Sequence, residues 1–341
     1  MNRKKSLMGF LLLAFLFFWG SEAVAEKEVT LVVGAYTAPR EALKKMIPLF
    51  QADWEKKSGE KVVFKESYLG SGAQSRAIAE GFEADVAILS MEPDITRLVE
   101  KGLVTHDWKA RAVGGMISRS VVAFAVRSGN PKKVSDWKNL ATQKVEILTP
   151  NPKMSGGAQW NLLAAYGGAL RGKIEGYEGS EAGARKFLAD LLRHVTVLDK
   201  GARESIINYE NGNGDVAISY ESEILIGREH GGEYELVVPP STLLIENPAA
   251  VVDSSVEKHG TRAVAEAFLA FLTSEPAQKI FAQSGYRPVD DGVAKVFEKK
   301  FAPVEDLWTI DFLGDWKTIQ TQFFSAGGLY EQVSEEVQKQ K

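Results

Sequence analysis

The chain has 341 residues, with 41 Lys and Arg against 45 Asp and Glu, a net charge of −4, and no cysteine. Disulfides, thiolate metal sites, cysteine nucleophiles and a lipid-bearing cysteine are therefore excluded, and the acidic balance argues against nucleic acid or an anionic membrane surface as partner. The length suffices for about two domains with sizeable cores.

Residues 1–25 carry a processing pattern. Arg3, Lys4 and Lys5 precede an apolar run from Leu7 to Trp19, and Ala23-Val24-Ala25 gives small residues before Glu26. That run falls short of the about 20 residues a membrane span needs. We expect cleavage after Ala25 and release of a soluble monomer into the periplasm.

The mature chain opens with a strongly apolar strand at 29–36, suited to a sheet covered on both faces. Leu43, Met46, Ile47, Phe50 and Trp54 then keep helical spacing, predicting a helix kinked at Pro48 and ended by Ser58-Gly59. A strand at 61–66 runs through Gly70-Ser71-Gly72 into a helix carrying Ala77 and Ile78, and a strand at 84–89 leads to a helix at 92–101. This alternation predicts an α/β fold. Near residue 111 the pattern changes: Gly114-Gly115 precedes a strand at 120–126 and the turn Ser128-Gly129-Asn130-Pro131, which places a first crossing between two lobes.

After a short helical turn at 136–140 comes a strand at 145–149, the loop Asn151-Pro152-Lys153-Met154-Ser155-Gly156-Gly157-Ala158, and a helix starting near Gly157 with Trp160, Leu162, Leu163 and Tyr166 inward. An amphipathic helix at 181–194 precedes a strand, a tight turn at Gly201-Ala202-Arg203 and another helix start. The strand at 215–220 repeats Asp85-Val86-Ala87-Ile88 as Asp215-Val216-Ala217-Ile218. A helix at 221–229, strands at 234–238 and 243–245, and helices at 261–273 and 275–283 follow. We expect 26–111 with 221–305 to form one lobe and 112–220 the other. Helices at 306–341, anchored by Phe312, Trp316, Phe323 and Phe324, are not assigned to either.

Three of these turns repeat one device, a strand followed by small residues and a helix start. The first amides of a helix lack partners and carry a partial positive charge, so a small anion can lie against them without a cationic side chain. Ser155 is placed as the N-cap of its helix, and Gly156 and Gly157 leave the approach open.

The segments 36–41, Gly70-Ser71-Gly72, Asn151-Pro152-Lys153 with Ser155-Gly156-Gly157-Ala158, 197–203 and Tyr286-Arg287-Pro288 together resemble the periplasmic sulfate- and thiosulfate-binding proteins. The resemblance extends through the mature chain in the same order. It implies the two-lobed periplasmic-binding-protein fold (type II) with a ligand cleft between the lobes. It also implies a receptor with no catalysis or cofactor, serving the permease and ATPase of an ABC importer. Carried over by motif, the anion donors are Ser71, Ser155, Gly156, Gly157 and Ala202, with Gly70, Gly72, Arg40 and Arg203 supporting them. Where the family has Trp-Glu this chain has Tyr220-Glu221, so Tyr220 stands in the place of an indole donor. Met154, Gln159, Leu69 and Glu204 also depart from the family pattern.

A donor-only pocket selects a fully deprotonated dianion such as sulfate, because phosphate brings a proton that needs an acceptor, at a cost of roughly 1 to 3 kcal/mol. Glu204 or Tyr220 turned inward would weaken that preference. The alternatives are another oxyanion, such as thiosulfate or molybdate, and a small organosulfonate. A serine hydrolase using Ser155 or Ser71 is remote, since neither sits in a Gly-x-Ser-x-Gly elbow and no histidine is placed by sequence to serve it. His106, His194, His230 and His259 show no metal-binding spacing.

Overall fold

The computed structural model describes residues 27–340, so the expected leader and its cleavage site lie outside the described residues. Strand β1 (Lys27–Tyr36) leads into α1 (Arg40–Ser58), β2 (Glu60–Leu69) into α2 (Ser71–Ala79), and β3 (Val86–Ile88) into α3 (Glu92–Glu100). The long β4 (Met116–Arg127) is followed by α4 (Trp137–Thr142), β5 (Ile147–Pro150), α5 (Gly156–Leu170) and α6 (Glu181–Arg193). Then come β6 (Val195–Asp199), α7 (Ala202–Glu210), β7 (Val216–Tyr220), α8 (Glu221–Glu229), β8 (Tyr234–Val237) and a second long strand, β9 (Ser241–Val251). Helices α9 (Asp253–His259), α10 (Arg262–Leu272), α11 (Glu275–Gln283) and α12 (Asp291–Val296) precede β10 (Asp306–Trp308). The chain closes with α13 (Trp316–Ile319), a π-helical turn at Gln320–Phe324 and α14 (Leu329–Lys339).

The strands line up as β2-β1-β3-β9-β4-β7-β5-β6. At one end β1 runs parallel to β2 and β3, and at the other β5 runs parallel to β6 and β7. Between them β4 and β9 pair antiparallel: Ala249–Val251 of β9 complete the first sheet against β3, while the far half of β4 pairs with β7 and β8. The result is two α/β halves joined through two adjacent long strands. Arg287 pairs with Arg119 of β4 as the chain passes back once more.

Each half has its own core. Leu31, Val33, Leu43, Met46 and Phe50 pack with Phe268 and Phe281 in the first, and Phe124, Trp137, Trp160, Leu163 and Phe187 form the second. The C-terminal residues Trp308, Ile319, Phe323, Val333 and Val337 join this second core. Trp308 lies over α5 so closely that a methyl added to Gly167 would sit 2.1 Å from its ring. Helix α1 runs unbroken through Pro48. Strand β9 is much longer than the predicted 243–245, and α9 was not predicted at all. Segment 221–238, expected with the first lobe, contributes β8 to the far half of β4.

Candidate functional site: a cleft faced by helix starts

Strands β1, β2 and β3 end toward the same side, and each hands the chain to a helix; so do β5, β6 and β7. In open α/β sheets ligands bind beyond the carboxyl ends of such strands. Here six strand-to-helix turns, three from each half, face one another. The approach is close. A methyl on Gly70 would lie 2.9 Å from the Met154 carbonyl and 3.2 Å from that of Lys200, and one on Gly201 would lie 3.6 Å from Thr37 Oγ1. A methyl on Gly156 would lie 2.6 Å from Ser90 Oγ.

The predicted donors are brought together in this cleft. Ser71, Ser155, Gly156, Gly157, Ala202 and Tyr220 are all buried there, Ser71 and Ala202 as the first residues of α2 and α7. Ser155 holds the N-cap position of α5 with extended backbone, yet its hydroxyl caps no α5 amide and remains available to a ligand. Gly70 and Gly201, the N-cap residues of α2 and α7, have no side chain that could cap those helices, so those first amides are left to the cleft.

The Ser71 hydroxyl, by contrast, is committed. It donates to Asp94 Oδ2 at 2.5 Å and accepts the Ser90 amide at 2.8 Å, so Ser71 has only its backbone N–H to offer a ligand. Burial raises the Asp94 carboxyl above the ordinary range, against the pull of Ser71 and of Arg97, which lies 3.1 Å away.

Tyr220 does not stand alone. Its hydroxyl and that of Ser90 are 2.6 Å apart across the cleft. Burial pushes the phenol pKa up, so it stays protonated at neutral pH. Two O–H groups sharing one hydrogen bond leave one proton free to point elsewhere. The Ser90 carbonyl accepts from Trp160 Nε1 at 3.0 Å and from Asn247 Nδ2 at 2.9 Å, binding the first half to α5 and β9. Ser90 and Asn247 are not marked in the sequence: neither sits in a glycine-rich turn, and apart from Ser71 their partners lie 70 or more residues away.

Beneath the cleft, charge is paired. Arg203 Nε lies 2.9 Å from Glu223, whose carboxyl burial pushes up to about 7 while Arg203 opposes the rise. Arg287 holds the buried Glu221 through two contacts, at 2.6 and 3.0 Å. Arg40 is exposed and lies over the Tyr68 ring, away from such pairing. Gly70 and Gly72 flank the start of α2 near the Met154 carbonyl. Glu204, in the first turn of α7, folds back toward Gly201, and its buried Oε2 has no hydrogen-bond partner. Among the described residues no group of three or more His, Asp or Glu could hold a metal ion, and no helix is long and apolar enough to cross a membrane.

Two α/β halves closing helix starts over a small buried cleft define a solute-binding protein. Residues 31–287 match the family model described as bacterial extracellular solute-binding protein, and the chain belongs to that family. Within it, the chain is 40% identical to the sulfate-binding protein of Synechococcus elongatus, over 91% of this chain and 87% of that one. It is 36% identical to the thiosulfate-binding protein of Pseudomonas aeruginosa, over 88% and 90%. The structure of the sulfate-binding protein from Mycobacterium tuberculosis superposes with a TM-score of 0.79 at 39% identity, covering 88% of this chain and all of that one. These relatives are named as binding proteins, in accord with the expectation of a non-catalytic receptor.

Proposed function

We propose that this protein is the periplasmic receptor of an ABC importer, capturing sulfate or thiosulfate between its two lobes. The observation that carries the reading is the convergence of the α2, α5 and α7 starts on one buried cleft, with the Ser155 hydroxyl free of intramolecular duty. Backbone N–H groups and hydroxyls hold the dianion, and the partial charges of the helix starts replace a countercharge. The sulfate- and thiosulfate-binding relatives support this ligand class.

Closure completes the donor set, because Ser71 and Ser90 come from one half and Ser155, Ala202 and Tyr220 from the other. Ligand therefore shifts the hinge equilibrium toward the closed form, which a membrane permease and its ATPase would recognise. In this reading the leader is cleaved after Ala25, the receptor works as a monomer, and the strands joining the lobes are β4 and β9.

A second reading is favoured by one observation, the unpartnered Glu204 Oε2. An acceptor at the cleft margin suits an oxyanion that keeps a proton. Calorimetric titration with sulfate, thiosulfate, molybdate and phosphate decides between the two. Saturable one-to-one sulfate or thiosulfate binding with little response to phosphate supports the main reading, and preference for phosphate overturns it. Ser155→Ala is expected to weaken sulfate binding by about 1 to 3 kcal/mol through loss of a charge-assisted hydrogen bond. Helix α5 should be unaffected, since the hydroxyl caps nothing there.

A further inference from the structure

The residues beyond 287 lie outside the matched family model, yet they reach the loop that carries Ser155. Gln159, in the first turn of α5, donates from Nε2 to the Pro152 carbonyl at 3.0 Å. Gln320, at the start of the π-helical turn, donates from Nε2 to Gln159 Oε1 at 2.7 Å. The direction of this relay is fixed by chemistry: a carbonyl only accepts, so Gln159 must present its amide nitrogen to Pro152 and its oxygen to Gln320.

Other tail contacts converge on the same place. The Trp316 ring stands edge-on to Trp160, centroids 5.0 Å apart, and Lys153 pairs with Glu331 at 2.6 Å. Helix α13 also packs against α3 of the opposite half. The Lys153 pair is largely exposed and contributes little. The glutamine relay is half-buried and acts on the loop itself. A π-helical turn is an uncommon conformation that is frequent at functional sites, and here it begins with the relay residue.

From this we infer that Gln320 is a positioning residue for the anion site, setting the Pro152–Gly157 loop through Gln159 without touching the ligand. The inference rests on the reading of that loop as the anion site. Both arms of its test use the full chain.

In the first arm, amide hydrogen exchange is followed on the ligand-free protein, in wild type, Gln320→Ala and Gln320→Glu. The glutamate keeps the shape and removes the donor. Both variants should speed exchange at 151–160 by about 3-fold or more while the rest of the chain keeps its wild-type rates. In the second arm, sulfate is titrated into the same proteins, Gln159→Ala and the double variant Gln159→Ala with Gln320→Ala. Each single substitution should raise Kd by about 3- to 10-fold at unchanged melting temperature, and the double should be no worse than Gln159→Ala alone.

Unchanged exchange at 151–160, exchange that rises throughout the chain, or effects that add in the double variant would each overturn the inference. If wild type fails to bind sulfate, the proposed ligand falls, and the exchange arm still decides the role of Gln320.

Discussion

Replacing Gly156 by alanine separates closure from folding. In the closed cleft the added methyl would lie 2.6 Å from Ser90 Oγ, 3.0 Å from Ser90 Cβ and 3.1 Å from Met91 Sδ. Swinging the hydroxyl aside leaves the Cβ contact, which is about 0.5 Å or more inside the optimal carbon separation. Ser90 cannot easily retreat, since its amide is bonded to Ser71 and its carbonyl to Asn247. Relief must come from the lobes standing further apart, which stretches the 2.6 Å Ser90–Tyr220 bond and the 3.0 Å Trp160–Ser90 bond.

Overpacking of this kind costs about 1 to 3 kcal/mol, or a 5- to 150-fold loss of affinity. An open lobe escapes the cost. There the alanine occupies the first position of α5 with no left-handed backbone to strain it, and it restricts the unfolded chain, contributing about 0.4 to 1 kcal/mol of stability. Calorimetry with sulfate and thermal melts with and without ligand should therefore move in opposite directions. Wild-type affinity in Gly156→Ala would refute the closed geometry as the bound state. A lower melting temperature without ligand would show that Gly156 and Ser90 touch permanently.

Tyr220→Phe removes the hydroxyl that bridges to Ser90 and should weaken sulfate binding by about 0.5 to 1.5 kcal/mol, chiefly through faster release measured by stopped flow. Glu204→Gln should tighten sulfate binding by removing a negative charge from the cleft margin.

Burial works against the charge on Asp253, yet hydrogen bonds from Thr105, His106 and Arg262 outweigh it and hold the carboxyl well below the usual range. A depressed carboxyl contributes stability above its unfolded value of about 3.9, and that contribution is lost as pH falls through the folded value. Asp253→Asn should thus destabilise by about 1.5 to 3 kcal/mol at neutral pH, with the gap to wild type narrowing in denaturation curves below about pH 4.

The strand–helix alternation and three of the helix starts were legible because each leaves a local mark: an apolar run, then small residues, then a 3.6-residue period. The length of β9 was not. Glu246-Asn247-Pro248 looks like a break, but Asn247 is fully buried against Ser118 and Ser90, and Pro248 sits beside the irregularity in pairing with β4 where a missing amide is tolerated. The committed hydroxyl of Ser71 was equally invisible, since Asp94 is 23 residues away and carries no motif. The docking of the tail depends on shape, as Trp308 against Gly167 shows, and composition cannot report shape.

The adjacency of β3 and β9 also dictates the order in which the molecule can be made. Residues 249–251 close the first sheet, so the half that is synthesised first has to wait for β9 to emerge before its sheet is complete. Pairings of such large sequence separation are slow to form. A nascent chain of this design stays without its finished N-terminal half until most of its length is available. Delay of that kind is written into the strand order itself.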